Sequence, residues 1–185
     1  MKTYLIEIAQ LIGSVAEQEE RDLKMLGEGI FHMPELAFAY KCGKKIMQDS
    51  EKIFGSMKPK WVREVDLGNG GPTDLLFEFD NGKRIAIEFK MRDKSISYER
   101  DLQKLAKLGD ENTARIFCAL IDVFKKKFPD DGRQQRVEQF KGMAVHSILE
   151  PKPSFETPEF KSQVQSQTPI SSEPQCFPQI LHRES

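Results

Sequence analysis

The chain is expected to fold as an α/β domain in which helices flank a mixed central sheet, and three patterns carry that expectation. Two stretches of helical periodicity come first, three strand-like segments joined by tight turns follow, and a further helix then leads into an apolar strand. Tight turns impose antiparallel pairing, whereas the later strand–helix–strand passage is a crossover, so the sheet should be mixed and its helices packed against it.

Length sets the scale. With 185 residues, 38% hydrophobic and 31% charged, the chain can bury one ordinary core but hardly two. Residues 1–150 are expected to form that domain. From Pro151 to Ser185 the composition turns to proline, serine, glutamine and threonine, with six of the ten prolines, and this segment is expected to be a disordered tail. Its scattered Phe155, Phe160, Phe177, Ile180 and Leu181 would serve to dock the segment on a protein partner or on the domain itself, if it is not simply solvated.

The first helix runs from Tyr4 to about Lys24, with Leu5, Ile8, Ile12 and Val15 on one face. Pro34 suits the first turn of a second helix, which Leu36, Phe38, Ala39, Ile46, Met47, Ile53 and Phe54 carry as far as Gly55. Trp61 to Leu67 alternates as a strand does and ends at the turn cluster Gly68-Asn69-Gly70-Gly71-Pro72. Two more strands, Thr73 to Phe79 and Lys83 to Lys90, are separated by Asp80-Asn81-Gly82. A helix from near Ser97 carries Tyr98, Leu102 and Leu105 on one face. Arg115 to Val123 is apolar enough for a buried central strand, Arg133 to Lys141 is expected to be helical, and Ala144 to Leu149 a last short strand.

Several function classes are disfavoured by composition. A formal net charge of -1 is not that of a generic nucleic-acid coat, so any such binding has to come from local donors: Lys41, Lys44 and Lys45; Lys104 and Lys107; Lys125, Lys126 and Lys127; Arg133 and Arg136. Cys42, Cys118 and Cys176 form no C-x-x-C pair and no zinc-spaced cluster, and all three are read as reduced. No stretch is long and apolar enough to cross a bilayer, and Met1 to Ala9 is not a leader, so no membrane association and a cytoplasmic location are expected.

The second and third strands hold the chemistry, and their turn fixes which side chains share a face. A two-residue Asn81-Gly82 loop would oppose Asp74 to Phe89 and Leu75 to Glu88, mixing polar with apolar. A three-residue loop with Gly82 left-handed pairs Phe77 with Ile85, Leu75 with Ile87 and Asp74 with Glu88. One face then carries Leu75, Phe77, Ile85, Ile87 and Phe89, the other Asp74, Glu88 and Lys90. Two opposed carboxylates repel unless a cation or proton lies between them. Oxygen donors from Asp74 and Glu88, with the Phe89 carbonyl and waters, suit a hard ion such as Mg²⁺, with Mn²⁺ as its substitute, and not zinc. Lys90 would orient or deprotonate an attacking water, or balance charge on a reacting phosphate.

Gly71-Pro72-Thr73-Asp74, a hydrophobic strand, a tight turn and Ile85-Ala86-Ile87-Glu88-Phe89-Lys90 together resemble the PD-(D/E)XK nuclease superfamily, whose core is restriction-endonuclease-like. The resemblance covers roughly Pro34 to Val123. It departs from the family pattern in that Thr73 separates Pro72 from the first acid. It implies that Asp74, Glu88 and Lys90 form the metal site of a phosphodiester hydrolase. It also implies that Glu35, on the helix before the hairpin and in a stripe with Ala39, Cys42 and Ile46, contacts the metal through water. Arg100, Gln103 and Lys104, on the helix after the hairpin, are the matching candidates for substrate contact. The implied activity is Mg²⁺-dependent hydrolysis of nucleic acid, with DNA the favoured substrate; one such site cuts one strand, so duplex cleavage calls for a homodimer or two binding events. The alternative is a catalytically silent nucleic-acid- or protein-binding module of the same fold.

Overall fold

The computed structural model describes residues 2–91, 95–123, 136, 139 and 175–181. Helix α1 (Lys2–Met25) leads through a short 3₁₀ turn at Ile30–His32 into α2 (Glu35–Gln48) and α3 (Ser50–Phe54). Strands β1 (Lys60–Asp66), β2 (Pro72–Glu78) and β3 (Arg84–Met91) follow, then α4 (Ser95–Ala106), β4 (Thr113–Val123) and β5 (Gln175–Leu181). The sheet order is β1-β2-β3-β4-β5. β1, β2 and β3 pair antiparallel in succession, β3 pairs parallel with β4 across α4, and β5 lies antiparallel on the outer edge of β4. The chain is thus α/β with a mixed sheet flanked by helices, and among the described residues no helix is long and apolar enough to cross a membrane.

The hairpin turn closes as three residues. Gly82 takes φ +78°, its N–H donates to the Phe79 carbonyl at 2.9 Å, and the Phe79 N–H donates to Lys83 at 2.9 Å. Leu75 accordingly pairs with Ile87 and Phe77 with Ile85. That register gives the sheet two different faces. Leu75, Phe77, Ile85, Ile87 and Phe89 are buried in the main core with Ile8, Ile12, Phe38, Ile46 and Phe54 of α1 to α3. Leu76, Ala86, Phe117 and Ala119 form a smaller core with Tyr98, Leu102 and Leu105 of α4.

Two expectations are corrected here. The second helix is not continuous to Gly55, because it breaks at Asp49, which caps both pieces: its N–H returns to Lys45 and its carbonyl accepts from Ile53. The segment 151–185 was expected to lack secondary structure throughout, yet Gln175–Leu181 forms a strand. The open edge of β4 offers unpaired backbone groups, and main-chain hydrogen bonding there offsets the entropy of ordering the segment. Pro178 is tolerated because β5 is an edge strand. The expected helix at 133–141, apart from positions 136 and 139, and the expected strand at 144–149 lie outside the described residues. Cys42 and Cys118 are buried free thiols.

Candidate active site

At the carboxyl end of β3 the α4 face of the sheet stops being apolar. Alternation along β3 sends Ala86 into the small core and then Glu88 and Lys90 to the same side, while Asp74 stands beyond the last pair of the β2–β3 ladder. Asp74 replaces that ladder with its side chain: Oδ2 accepts the Phe89 N–H at 2.7 Å. Across the other edge of β2, Glu64 has φ +48° and interrupts the regular β1–β2 pairing between Arg63 and Val65. A non-glycine residue in that region costs energy, which places local backbone strain directly beside Asp74.

The loop before β2 is tied to α4. Gly70 and Gly71 take φ +110° and +145°, conformations that a side chain disfavours, and the buried Asn69 donates from Nδ2 to the Lys104 carbonyl at 3.1 Å. Lys104 in turn donates to the Pro72 carbonyl at 2.6 Å, and its ammonium lies 2.8 Å from Glu88 Oε1. That second contact is an ion pair not aligned as a hydrogen bond, which leaves Oε1 of a 2% exposed side chain facing a charge without a hydrogen bond.

Glu35 opens α2, whose Ala39, Cys42 and Ile46 are buried in the main core. Its position at the amino end of the helix lets it reach past the end of the sheet to β3. Oε2 accepts the Met91 N–H at 2.6 Å and Oε1 lies 3.4 Å from Lys90 Nζ. Lys90 also pairs with Asp101 of α4 at 3.0 Å.

Four carboxylates, Glu35, Asp74, Glu88 and Asp101, therefore share one half-buried cluster with two ammonium groups, Lys90 and Lys104. The excess of acid shows in their proton affinities. Burial, followed by the neighbouring Asp74, pushes the Glu88 carboxyl up to about 8, against the lowering effect of Lys104. Burial also raises Asp74, opposed by the Phe89 N–H and Lys104, and raises Glu35, opposed by Lys90 and the Met91 N–H. For Lys90, burial favours the neutral amine, but the pairs with Asp101 and Glu35 outweigh it and hold the group above the ordinary lysine range. Lys90 is thus a fixed cation near neutral pH. Of the roles open to it from sequence, charge balance and orientation fit that state, and deprotonation of water does not.

The helix after the hairpin sorts its three candidates. Lys104 turns into the cluster, whereas Arg100 and Gln103 are exposed, and Gln103 donates to Glu99 on the helix surface at 3.3 Å. Glu99 also pairs with Arg136. Asp101 is the residue that sequence reasoning missed. A signal for it existed: Asp101 and Lys104 are spaced i, i+3 and border the apolar stripe Tyr98-Leu102-Leu105, so they face the sheet while positions 100, 103 and 107 face away.

Among the described residues no three His, Cys, Asp or Glu side chains converge at metal-holding spacing. A cation here would draw on the two carboxylates Asp74 and Glu88, on backbone oxygen such as that of Phe89, and on water. The donor chemistry fits a hard divalent ion: all oxygen, a buried and a half-buried acid that repel when both ionise, and a Glu88 oxygen with no hydrogen bond that already faces a positive charge. Compared with protein-family models, curated proteins and solved structures, the chain matches none.

Proposed function

We propose that the chain is a metal-dependent nuclease with a restriction-endonuclease-like core, hydrolysing phosphodiester bonds, with DNA the preferred substrate. The observation that carries this reading is the gathering of Asp74, Glu88 and Lys90 on one face of the β2–β3 hairpin, with Glu35 entering from α2. Asp74 and Glu88, with the Phe89 carbonyl, would hold Mg²⁺ or Mn²⁺, and Glu35 would add a water-mediated contact. A bound divalent ion supplies Lewis acidity toward a phosphoryl oxygen and lowers the pKa of its water. Lys90, kept protonated and aimed by Asp101 and Glu35, stabilises negative charge as it develops on the phosphoryl oxygens. Asp74 fixes the end of β3 through the Phe89 N–H and so keeps Glu88 and Lys90 in register.

A second reading, a silent binding module of the same fold, is favoured by one observation. Each of the four carboxylates already has a lysine or backbone N–H partner, a self-contained network that holds together without substrate. Titration with Mn²⁺ followed by calorimetry, together with Mg²⁺-dependent cleavage assays on single-stranded, duplex and branched DNA and on RNA, separates the two. Saturable metal binding with cleavage is expected; metal binding with no cleavage of any substrate would establish the silent module.

A further inference from the structure

Two lysines serve the acid cluster in different ways. Lys90 grows from the acidic strand itself and is clamped between Asp101 and Glu35. Lys104 reaches in from α4 with a side chain only 13% exposed, and places its ammonium against Glu88 and the Pro72 carbonyl. Its backbone is held by Asn69, so the helix can keep its place when the ammonium at the end of the four-carbon stem moves. Gly71 contributes no side chain beside that stem; a Cβ there would stand 3.8 Å from Lys104 Cδ.

We propose that Lys104 is a built-in counter-cation: in the metal-free protein it occupies the cation position at Glu88, a divalent ion displaces it, and the released ammonium then binds a phosphate of the nucleic-acid backbone. The inference rests on the reading of Asp74 and Glu88 as a metal site and assigns that site a coupling. An ammonium 2.8 Å from Glu88 Oε1 fills the space that an ion coordinated by the same oxygen needs. Once an ion is bound, the two positive charges repel across a poorly solvated gap, and the contact with a neutral carbonyl at Pro72 is too weak to retain the lysine. Phosphate is the natural destination for a displaced ammonium at the mouth of such a site. Metal and nucleic acid consequently bind with positive coupling, each strengthening the other by the same factor.

The test uses the full chain and an amine-acylating reagent, with modification of each lysine read by mass spectrometry. Saturating Mn²⁺ is expected to raise modification of Lys104 several-fold while that of the exposed Lys107 stays constant. Unchanged Lys104 modification overturns the proposal. Calorimetry gives an independent arm. In it Lys104→Met is expected to bind Mn²⁺ about tenfold more tightly than the parent, because no ammonium has to leave first. Equal or weaker binding also overturns it. Asp74→Asn separates the layers of the argument. If the parent binds Mn²⁺ and Asp74→Asn does not, a negative result with Lys104 removes the counter-cation and leaves the metal site standing. A parent that binds no Mn²⁺ removes both. Should Lys104→Met fail to fold, the acylation arm on the parent decides alone.

Discussion

The two faces of the sheet are built by the same strands, yet they do different work. Toward α1, α2 and α3 the middle of β2 and β3 presents an unbroken apolar, buried set: Leu75, Phe77, Ile85, Ile87 and Phe89. Toward α4 the apolar surface covers only part of the strands, and at the carboxyl end of β3 it gives way to Glu88 and Lys90 under Asp101 and Lys104. One face is a packing surface whose content is volume. The other combines a small core with a charge cluster held partly out of water, an arrangement that raises the free energy of the ionised acids and makes them hold protons or seek cations. Substitutions on the first face should therefore be read in stability, and those on the second in proton, metal and rate measurements.

The largest expected effect belongs to the packing face. Phe77→Ala removes a fully buried ring that sits among Ile85, Phe54 and their neighbours, and should cost about 3–5 kcal/mol of unfolding free energy in urea titrations. A loss below about 1 kcal/mol would mean that this face is not the main core.

Next come Lys90→Met and Asp74→Asn, which should each abolish Mg²⁺-dependent cleavage of labelled DNA without unfolding the protein, and differ in metal binding. Lys90→Met keeps both acids, so Mn²⁺ should still bind while the rate falls on the order of a hundredfold or more. Asp74→Asn removes a carboxylate oxygen from the proposed donor set, so calorimetric affinity should fall together with rate. Cleavage that persists in both would remove this face from catalysis.

A smaller effect lies in the pH dependence of the metal-free protein. Folding raises the Glu88 carboxyl from its ordinary 4.5 to about 8. The stability contributed by this group is present in full below its unfolded value and is lost as pH rises through about 8. Between those limits the slope from one such group is at most about 1.4 kcal/mol per pH unit. Glu88→Gln should flatten the slope, and divalent metal should oppose it. Stability that rises over this window in the parent would show that the acids of this face are not desolvated.

The smallest effect is expected of Arg100→Ala and Gln103→Ala, whose side chains lie on the outward side of α4. Melting experiments should place both within about 0.5 kcal/mol of the parent. DNA affinity should change far less than in a Lys104 variant, and a large loss in either would return that residue to the substrate path.

Much of this division was legible in the sequence because its causes are local. A turn of three residues ending in Gly82 fixes register, and register fixes faces, so the separation of Phe77, Ile85 and Ile87 from Glu88 and Lys90 follows from a few positions. What was not legible depends on how one element lies across another. The apolar stripe of α4 turns Asp101 and Lys104 toward the sheet, but which groups they meet there, Lys90 and Glu88, is set by how the helix is seated on it. Arg115 is similar: it sits in an apolar strand, and its burial depends on the Ala106 carbonyl at the end of α4, 3.0 Å from Nη1. The break at Asp49 and the pairing of Gln175–Leu181 were hidden for the same reason, since neither a mid-helix interruption nor a long-range edge partner leaves a periodic trace.

That edge partner also sets an order of events in synthesis. Val123 pairs with Gln175 and Phe117 with Leu181, so the ladder joins stretches far apart in the chain, whereas β1, β2 and β3 are joined by turns. Distant pairings close later than local ones, and a ribosome delivers β4 well before β5. Throughout that interval the growing chain presents the outer edge of β4 unpaired, which is the form in which a neighbouring nascent chain can lend its own strand. Translation speed across the segment between 123 and 175 thus bears on whether the sheet is completed within one chain or by exchange between two.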